Sequence, residues 1–343
     1  MTLVIGLNLV PMPPANRIPC ICRGYPMQVK NILITGGAGF IGSNLVHHIQ
    51  RESIDKSDSV NITVVDALTY AGNKENLSGL PNPQMMKFVH GDVRDWDLVQ
   101  RLVKENDEIF HLAAESHVDR SISDPGIFIE TNVLGTLNIL EASRKFSRRV
   151  LLVSTDEVYG SLATGFADED YPLNPSSPYS ASKASADLLA ISFYKTFGLD
   201  VVITRCSNNY GPRQFPEKLI PQSIQKILKG EKIPVYGNGQ NVRDWIHVED
   251  HCSGLLLAMS KGESGRIYNF GDVDKLANIQ IIEMLLETAG GSIDLIEFVE
   301  DRLGHDFRYA INASRAKNEL GWEPKENLSK NLSKIVDWYR RKL

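Results

Sequence analysis

The feature that most constrains this chain is a regular alternation of short β-branched segments with helical stretches, which begins at Val29. Helical periodicity is clearest over 41–52 and 131–146. Strands that alternate with helical crossovers form a parallel sheet covered by helices on both faces. The sequence therefore predicts an α/β fold with a doubly wound parallel sheet. The predicted strands are 31–35, 61–67, 86–92, 108–114, 149–155, 200–206 and 266–271.

Two stretches interrupt this alternation, and we expect them to form a smaller C-terminal lobe. They cover 208–241 and 272–343, on either side of the last predicted strand. Such a lobe is discontinuous in sequence and closes over the carboxyl ends of the strands, where ligands bind in sheets of this class. The first domain then comprises 29–207 plus 242–271.

Residues 1–28 precede the alternation and are predicted to be a flexible N-terminal extension. The stretch is rich in proline and has no sustained period. Its first basic residue, Arg17, follows the short apolar stretch, whereas a secretory signal begins with positive charge. We therefore disfavour export, and Met27 is an alternative start of translation.

Composition excludes several classes of function. The 343 residues include 37 basic and 42 acidic side chains, a formal net charge of −5, so no global charge draws the chain to nucleic acid or to an anionic membrane. No apolar run approaches the about 18 residues that a membrane helix requires. Only Cys20 and Cys22 are close in sequence among the four cysteines, and C-x-C without further ligands predicts neither a metal site nor a disulfide framework. We expect a reducing, cytoplasmic setting and no bound metal.

A glycine-rich turn follows the first predicted strand and opens a helix. It reads TGGAGFIG over 35–42 and contains both G-x-x-G-x-x-G and G-x-G-x-x-G. The free N–H groups and the positive dipole end at a helix start can hold a pyrophosphate, and side chains at the glycines would block its approach. The residues predicted to bind it are Gly36, Gly39, Phe40, Ile41 and Gly42.

Acidic residues after the second and third strands complete a predicted dinucleotide site. Asp66 lies 24 residues beyond Gly42, where its carboxylate can accept hydrogen bonds from ribose hydroxyls and repel a 2′-phosphate. The glycine turn contains no Arg or Lys, which favours NAD over NADP and makes the first domain a Rossmann-type NAD-binding domain. The alternative is a tight turn in which Asp66 only caps a helix. Asp92 is expected either to contact the adenine or to stabilise a turn or a helix cap. Further predicted cofactor contacts are Val93, Ala113, Ala114, Tyr179 and Lys183.

Tyr179 and Lys183 stand four residues apart near the start of a predicted helix, so their side chains share one face. A nearby ammonium lowers the pKa of a phenol, and we expect Lys183 to let Tyr179 act as a base toward a sugar hydroxyl. Y-x-x-x-K by itself is often only a surface pair. Here it follows the fifth strand, where a doubly wound sheet opens its crevice.

The triplet Thr155-Asp156-Glu157 ends the fifth predicted strand. Acidic residues at this position often do no more than cap the next turn. Adjacent carboxyl groups that differ in burial and partners can instead be driven to different pKa values, giving one proton donor and one acceptor. An elimination needs both.

Several segments resemble the extended short-chain dehydrogenase/reductase family from about residue 30 to the C-terminus. Within it the chain is similar to the dTDP-glucose 4,6-dehydratases, and the T-D-E triplet carries the resemblance to dehydration. The similar segments are TGGAGFIGSN, HLAAESHVDRS, VSTDEVYGS, SPYSASKASAD, TRCSNNYGP, FPEKLIP, RDWIHVEDH and DRLGHD.

The resemblance implies a redox-neutral dehydration of dTDP-glucose to dTDP-4-keto-6-deoxyglucose. Tyr179, assisted by Lys183 and Thr155, takes the proton of the 4-hydroxyl while hydride passes from C4 to NAD. Glu157 then removes the C5 proton and Asp156 protonates the departing 6-hydroxyl, after which hydride returns to C6. The coenzyme ends as it began and can stay bound.

The resemblance also implies a set of substrate contacts. Arginines in it can hold a pyrophosphate through forked donors, and Tyr236 offers an aromatic face to a pyrimidine. A purely structural hydrogen bond is the rival role of His117. The set comprises Ser116, His117, Asn209, Lys218, Leu219, Pro234, Tyr236, Arg243, Asn278, Arg302 and His305. Arg213 and the acidic segment 271–274 depart from the family pattern.

The helical runs 127–146 and 179–196 carry apolar residues around much of their circumference. We therefore expect a homodimer joined through paired helices, with burial under loops of the same chain as the alternative.

Two other functions stay open from the residues alone. A nucleotide-sugar 4-epimerase or decarboxylase would keep the glycine turn, Tyr179 and Lys183 but would not need the Asp156–Glu157 pair. A non-catalytic NAD-binding protein would not need Tyr179, Lys183 and Thr155 intact.

Overall fold

The structure is a computed structural model that describes residues 29–56 and 59–342, so the extension predicted for 1–28 lies outside the described residues. The strands are β1 Lys30–Thr35, β2 Val60–Asp66, β3 Met86–His90, β4 Glu108–His111, β5 Arg149–Thr155, β6 Val201–Cys206, β7 Asn208–Tyr210, β8 Ile233–Tyr236, β9 Val242–His247, β10 Ile267–Phe270, β11 Asp274–Ala277 and β12 Ile296–Val299. The α-helices are α1 Phe40–Lys56, α2 Trp96–Glu105, α3 Val118–Ser123, α4 Pro125–Phe128, α5 Gly135–Phe146, α6 Pro178–Phe197, α7 Leu219–Lys229, α8 Val248–Lys261, α9 Asn278–Ala289 and α10 Leu328–Arg340.

A seven-stranded parallel sheet forms the centre of the molecule, in the order β10-β6-β5-β4-β1-β2-β3. Its strands are the seven that the sequence predicts. Side chains alternate between the faces, so Ile32 and Ile34 pack with α1 and α8, whereas Leu33 packs with α2, α5 and α6. The doubly wound α/β fold is confirmed.

The remaining strands form two small sheets. β9 pairs in parallel with β7 and antiparallel with β11, and β12 pairs in parallel with β8. A third apolar core joins α7 to α9 and α10. Residues 242–247 are predicted to belong to the domain of the main sheet, but β9 lies outside that sheet. The division into two domains stays a prediction.

Two helical stretches match the runs predicted to be apolar all round. α4, a π-helical segment Ile129–Leu134 and α5 follow one another without a break from 125 to 146.

The start of α6 is fixed by Ser177, whose side chain accepts a hydrogen bond from the Ser180 N–H, and Pro178 occupies the first turn. This cap sets where Tyr179 and Lys183 emerge.

Within the described ranges, no helix is long and apolar enough to cross a membrane. The same ranges contain no cluster of three or more His, Cys, Asp or Glu side chains that could hold a metal ion.

Candidate active site

A cleft opens where β1, β2, β4, β5 and β6 end, at the carboxyl edge of the main sheet. The structure brings eighteen of the sequence-predicted residues to its wall, including every predicted catalytic and cofactor residue. They are Gly36, Gly39, Phe40, Ile41, Gly42, Asp66, Asp92, Val93, Ala113, Ala114, Ser116, Thr155, Asp156, Glu157, Tyr179, Lys183, Asn209 and Lys218.

The glycine turn packs too tightly for side chains at two of its positions. Gly36 has a φ of +68°, and a Cβ there would lie 2.8 Å from the Ala113 Cα. A Cβ on Gly42 would lie 2.3 Å from the Gly36 carbonyl oxygen. At Gly39 the nearest such contact is 3.3 Å, and this residue faces the cleft just before α1 begins at Phe40. The turn therefore leaves the first N–H groups of α1 accessible to a phosphate.

Asp66 joins the glycine turn to the end of β2. Its Oδ2 accepts a hydrogen bond from the Ala38 N–H (2.9 Å), and its Oδ1 accepts one from the Leu68 N–H (2.8 Å). A carboxylate offers about four acceptor sites, so Asp66 can still accept from ribose hydroxyls in the cleft.

Asp92 is held by its neighbour Arg94. The Arg94 N–H donates to Oδ1 (2.9 Å), and its Nε and Nη2 donate to Oδ2 (3.0 and 2.8 Å). Burial raises the pKa of Asp92, but the hydrogen bonds and charge of Arg94 outweigh burial and lower it overall. Arg94 also donates to Glu130 (2.8 Å). Asp92 therefore makes a local turn and also lines the cleft. The glycine turn, Asp66 and Asp92 together fit NAD.

Tyr179 and Lys183 are buried on the cleft side of α6, which excludes the surface-pair interpretation. Lys183 Nζ donates to the Val153 carbonyl oxygen at 2.7 Å. Thr155 acts on the phenol of Tyr179 in the opposite sense to burial and lowers its pKa. The first turns of α6 thus lie against the end of β5.

The direction of the Tyr179 pKa differs from the one we expected. Burial, Glu157 and Cys206 raise the pKa of the phenol well above its ordinary value, and the hydrogen bond from Thr155 lowers it only in part. Burial also lowers the pKa of Lys183. The prediction that Lys183 lowers the pKa of Tyr179 below its ordinary value is therefore wrong for the chain without ligands. Both side chains are removed from water, and for Tyr179 this effect is the larger one.

Asp156 and Glu157 begin a short 3₁₀ turn, Asp156–Tyr159, which the Thr155 side chain caps. Asp156 is 3% exposed, and its Oδ2 has no hydrogen-bond partner in the described part of the chain. Burial and the charges of Glu157 and Asp244 raise its pKa well above the ordinary value. The structure therefore favours a neutral, protonated Asp156.

Glu157 has different neighbours. Burial raises its pKa, but the positive charges of Arg302, Arg243 and Lys218 oppose that shift. Arg302 lies in the loop after β12, Arg243 lies in β9, and Lys218 immediately precedes α7. Burial raises the pKa of both carboxyl groups and Arg243 opposes the rise in both, but Glu157 also faces Arg302 and Lys218, so Glu157 is the better proton acceptor and Asp156 the better donor.

The two arginines that are predicted to contact a pyrophosphate have different surroundings in the described chain. Arg243 donates from Nη1 to the Val242 carbonyl and from Nη2 to the Asp306 carbonyl, both at 2.8 Å. Its guanidinium stacks 4.3 Å from the centre of the Tyr309 ring. Arg243 is therefore anchored by the backbone, whereas Arg302 Nη1 lies 3.8 Å from Asp119 Oδ1.

Tyr236, Arg302 and His305 lie together beside the cleft. The Tyr236 ring is 5.9 Å from the Arg302 guanidinium and 6.3 Å from the His305 ring. His305 Nδ1 contacts Asp301 Oδ1 at 2.6 Å.

Eight predicted substrate residues do not line the cleft itself: His117, Leu219, Pro234, Tyr236, Arg243, Asn278, Arg302 and His305.

His117 has a structural role in the described chain. Its Nδ1 accepts from the Arg120 N–H (3.3 Å) and caps α3. Burial and the charge of Lys218 lower its pKa to about 4, so it is neutral at physiological pH. Leu219 begins α7, Pro234 lies in β8 and Asn278 begins α9.

The two departures from the family pattern lie in strained backbone. Arg213 has a φ of +71°, and its Nη1 donates to Asn44 Oδ1 of α1 at 2.8 Å. Asp272 has a φ of +63°, and its N–H donates to Asp244 Oδ2 at 2.5 Å.

Sequence reasoning missed several residues of the cleft. Glu115 and Glu217 line it, and burial raises the pKa of both. Each lies next to a predicted residue, which was the available signal. Cys206 also lines the cleft, and burial raises its pKa to about 12.

Comparison with known proteins gives a consistent result. The family model for GDP-mannose 4,6 dehydratase matches residues 33–335. The chain is 47% identical over 312 residues to a dTDP-glucose 4,6-dehydratase of Streptomyces antibioticus, covering 90% of this chain and 92% of that protein.

Solved structures resemble the whole described fold. The crystal structure of DesIV, a dTDP-glucose 4,6-dehydratase of Streptomyces venezuelae with NAD and TYD bound, has a TM-score of 0.88 at 45% identity and covers 91% of this chain and 97% of its own. A UDP-glucose 4-epimerase of Thermotoga maritima with UDP-glucose has a TM-score of 0.83 at 31% identity, covering 91% and 99%.

Replacement of Asp66 by Asn tests the assignment of the ribose site. We expect NAD affinity to fall about 10- to 100-fold, the equivalent of the about 1.5–3 kcal/mol that a hydrogen bond to a charged group contributes. Affinity for NADP should fall less, because the repulsion of its 2′-phosphate is lost. Titration of both coenzymes measures the change. Asp97→Asn, exposed on α2, is the matched control. An unchanged preference for NAD in Asp66→Asn would contradict the assignment.

Proposed function

Because this chain belongs to the GDP-mannose 4,6 dehydratase family, we propose that it is an NAD-dependent hydro-lyase that converts dTDP-glucose to dTDP-4-keto-6-deoxyglucose. The observation that carries this proposal is the Asp156–Glu157 pair. The two carboxyl groups differ in the cations that face them, and they line the same cleft as Tyr179 and Lys183.

Bound NAD supplies the redox chemistry, accepting hydride from C4 of the glucose and returning it to C6. The glycine turn and Asp66 would hold it, and Tyr179 and Lys183, which line the same cleft, would bind and orient the sugar at its 4-hydroxyl. Tyr179 accepts the proton of the 4-hydroxyl, and Thr155 hydrogen-bonds to the phenol.

The carboxyl pair performs the elimination. A ketone at C4 makes the C5 hydrogen acidic, and Glu157 removes it as a proton. Asp156 gives its proton to the 6-hydroxyl, so the C6–O bond breaks, water leaves and a double bond forms between C5 and C6. When hydride adds to C6, Glu157 returns its proton to C5, which restores the ionised form of Glu157. The raised pKa keeps Asp156 protonated for this step, and three cations favour the ionised form of Glu157.

The nucleotide diphosphate has a set of candidate contacts beside the carboxyl pair. Lys218, whose Nζ donates to the Ser116 carbonyl at 3.0 Å, and Arg302 provide positive charge. Tyr236 provides an exposed aromatic face for the thymine. Charge and stacking support a nucleoside diphosphate, and the proposed preference for thymidine depends on Tyr236 and its neighbour His305.

The product of the wild-type enzyme separates this function from its alternatives. We expect dTDP-glucose to yield a 4-keto sugar, whose enolate absorbs in alkali. An isomeric sugar without this absorbance would support a 4-epimerase. The similarity of the fold to the Thermotoga maritima 4-epimerase makes this the alternative to test. Coenzyme binding without turnover would support a non-catalytic protein. UDP-, GDP- and CDP-glucose in parallel measure the preference for the base.

Substitution of the carboxyl pair tests its role. In Glu157→Gln and Asp156→Asn, hydride should still pass to the coenzyme but elimination should stall. Product formation should fall by about 10²- to 10⁴-fold, the usual contribution of a general acid or base. Reduced coenzyme should accumulate, and its absorbance should be visible in single turnovers. Asp97→Asn again serves as control. Full dehydratase activity in either variant would contradict the assignment.

We also propose that the protein acts as a cytoplasmic homodimer. Cys206 and Cys252 are buried free thiols, consistent with a reducing compartment. Leu134, in the π-helical segment, is 50% exposed, and Leu188 of α6 is 57% exposed, which leaves apolar surface on the helices expected to pair.

Leu188→Glu tests the dimer. If α6 pairs with a second copy, a buried unpaired carboxylate should shift the protein toward monomer in analytical ultracentrifugation. Ile293→Glu, at a residue 63% exposed in the other lobe, should leave the oligomeric state unchanged. A wild-type protein that sediments as a monomer would contradict the proposal.

A further inference from the structure

A buried ion pair lies on the far side of β6 from the cleft. Arg205 Nε contacts Asp187 Oδ2 at 2.9 Å, and the two side chains are 2% and 0% exposed. Such a pair contributes little net stability, because the cost of removing both charges from water offsets their attraction. Its value therefore lies in the geometry that it imposes.

Arg205 joins the two elements that carry the proposed chemistry. Asp187 lies on α6, one turn beyond Lys183 and two turns beyond Tyr179. Arg205 Nη1 donates to the Tyr159 hydroxyl at 2.9 Å, and the guanidinium lies 4.8 Å from the centre of the Tyr159 ring. Tyr159 is the last residue of the 3₁₀ turn that begins with Asp156. One guanidinium thus contacts both the turn and the helix.

The strand register places this contact directly behind the catalytic residues. Arg205 lies opposite Ser154 in the sheet, and Cys206 lies opposite Thr155. Because side chains alternate along a strand, Cys206 lines the cleft while Arg205 points toward α6. A change at Arg205 therefore reaches the cleft only through the elements that it joins.

The Tyr159 hydroxyl has a second partner that fixes its direction. It donates to Asn269 Oδ1 of β10 at 2.9 Å. Asn269 in turn donates from Nδ2 to the carbonyls of Ala167 (3.3 Å) and Asn312 (3.2 Å). The hydroxyl thus accepts from Arg205 and donates to Asn269, and the end of the turn is held on both sides.

We propose that Arg205 is a positioning residue that sets where the Asp156–Glu157 turn lies relative to Tyr179 on α6. This inference rests on the proposed dehydratase function. Oxidation at C4 uses Tyr179 and Lys183, which are also held by the α6 cap and by the Val153 carbonyl. Elimination additionally requires the two carboxyl groups to reach C5 and the 6-hydroxyl of the same sugar. Loss of the Arg205 contacts therefore affects elimination more than oxidation.

Single turnovers of the NAD-loaded enzyme test this separation of steps. In Arg205→Met we expect coenzyme reduction within about threefold of wild type and elimination slower by about 10- to 100-fold, the range that a displacement near 1 Å can produce. Reduced coenzyme then accumulates before the 4-keto-6-deoxy product forms. Equal slowing of both steps, or of neither, would overturn the proposal.

Two further variants keep the test independent of folding. Tyr159→Phe removes only the hydroxyl that Arg205 contacts, keeps the ring, and should show the same accumulation of reduced coenzyme in milder form. If Arg205→Met does not fold, Tyr159→Phe decides the question alone. The matched control is Arg149→Met at the opposite end of β5, where Arg149 donates to the carbonyl of Met259 (2.8 Å). Accumulation in Arg149→Met equal to that in the Arg205 and Tyr159 variants would indicate a general effect of destabilisation and refute the positioning role.

The wild-type enzyme distinguishes failure of this inference from failure of the proposed function. If wild type forms no 4-keto product from dTDP-glucose, the function fails whatever the variants do. If wild type forms it and neither Arg205→Met nor Tyr159→Phe accumulates reduced coenzyme, only the role of Arg205 fails.

Discussion

The parallel register of the central sheet is the constraint on which the rest of the structure depends. Thr35 of β1 pairs with His111 of β4, and Thr155 of β5 pairs with Cys206 of β6, so these strands end at one edge. Each strand is followed by a segment that lines the cleft. Because all of these segments start from one rigid edge, residues far apart in sequence meet around one cleft.

Burial and neighbouring charges give two adjacent carboxyl groups different preferred protonation states. Asp156 is buried and accepts a hydrogen bond from Thr155 on one oxygen, and burial together with the charge of Glu157 outweighs the opposing charge of Arg243, so its neutral form is favoured. Glu157 faces Lys218, Arg243 and Arg302, which favour its charged form. The same cations suit a nucleotide diphosphate, so substrate binding and the ionisation of the base are electrostatically linked. Residues of the smaller sheets and loops thus tune groups that belong to the main sheet.

The sequence predicts those features that depend on neighbouring residues. The seven strands, the glycine turn and the helix that carries Tyr179 and Lys183 all have local signals, and the structure contains each of them. Features that depend on distant contacts were missed or misjudged. The pairing of β9 with β7 and β11, the backbone anchoring of Arg243 and the raised pKa of Tyr179 arise from packing between segments remote in sequence. For His117 the sequence leaves open a substrate contact or a structural hydrogen bond. Its capping of α3 is visible only in the structure.

Infrared difference spectroscopy of the NAD-loaded enzyme measures most directly whether Asp156 is protonated beside Glu157. At neutral pH the wild type should show the C=O stretch of a neutral carboxylic acid that is absent from Asp156→Asn and retained in Glu157→Gln. A band that persists in Asp156→Asn and disappears in Glu157→Gln would reverse the roles of acid and base. A wild-type spectrum that differs from neither variant in this band would contradict the proposed mechanism of elimination.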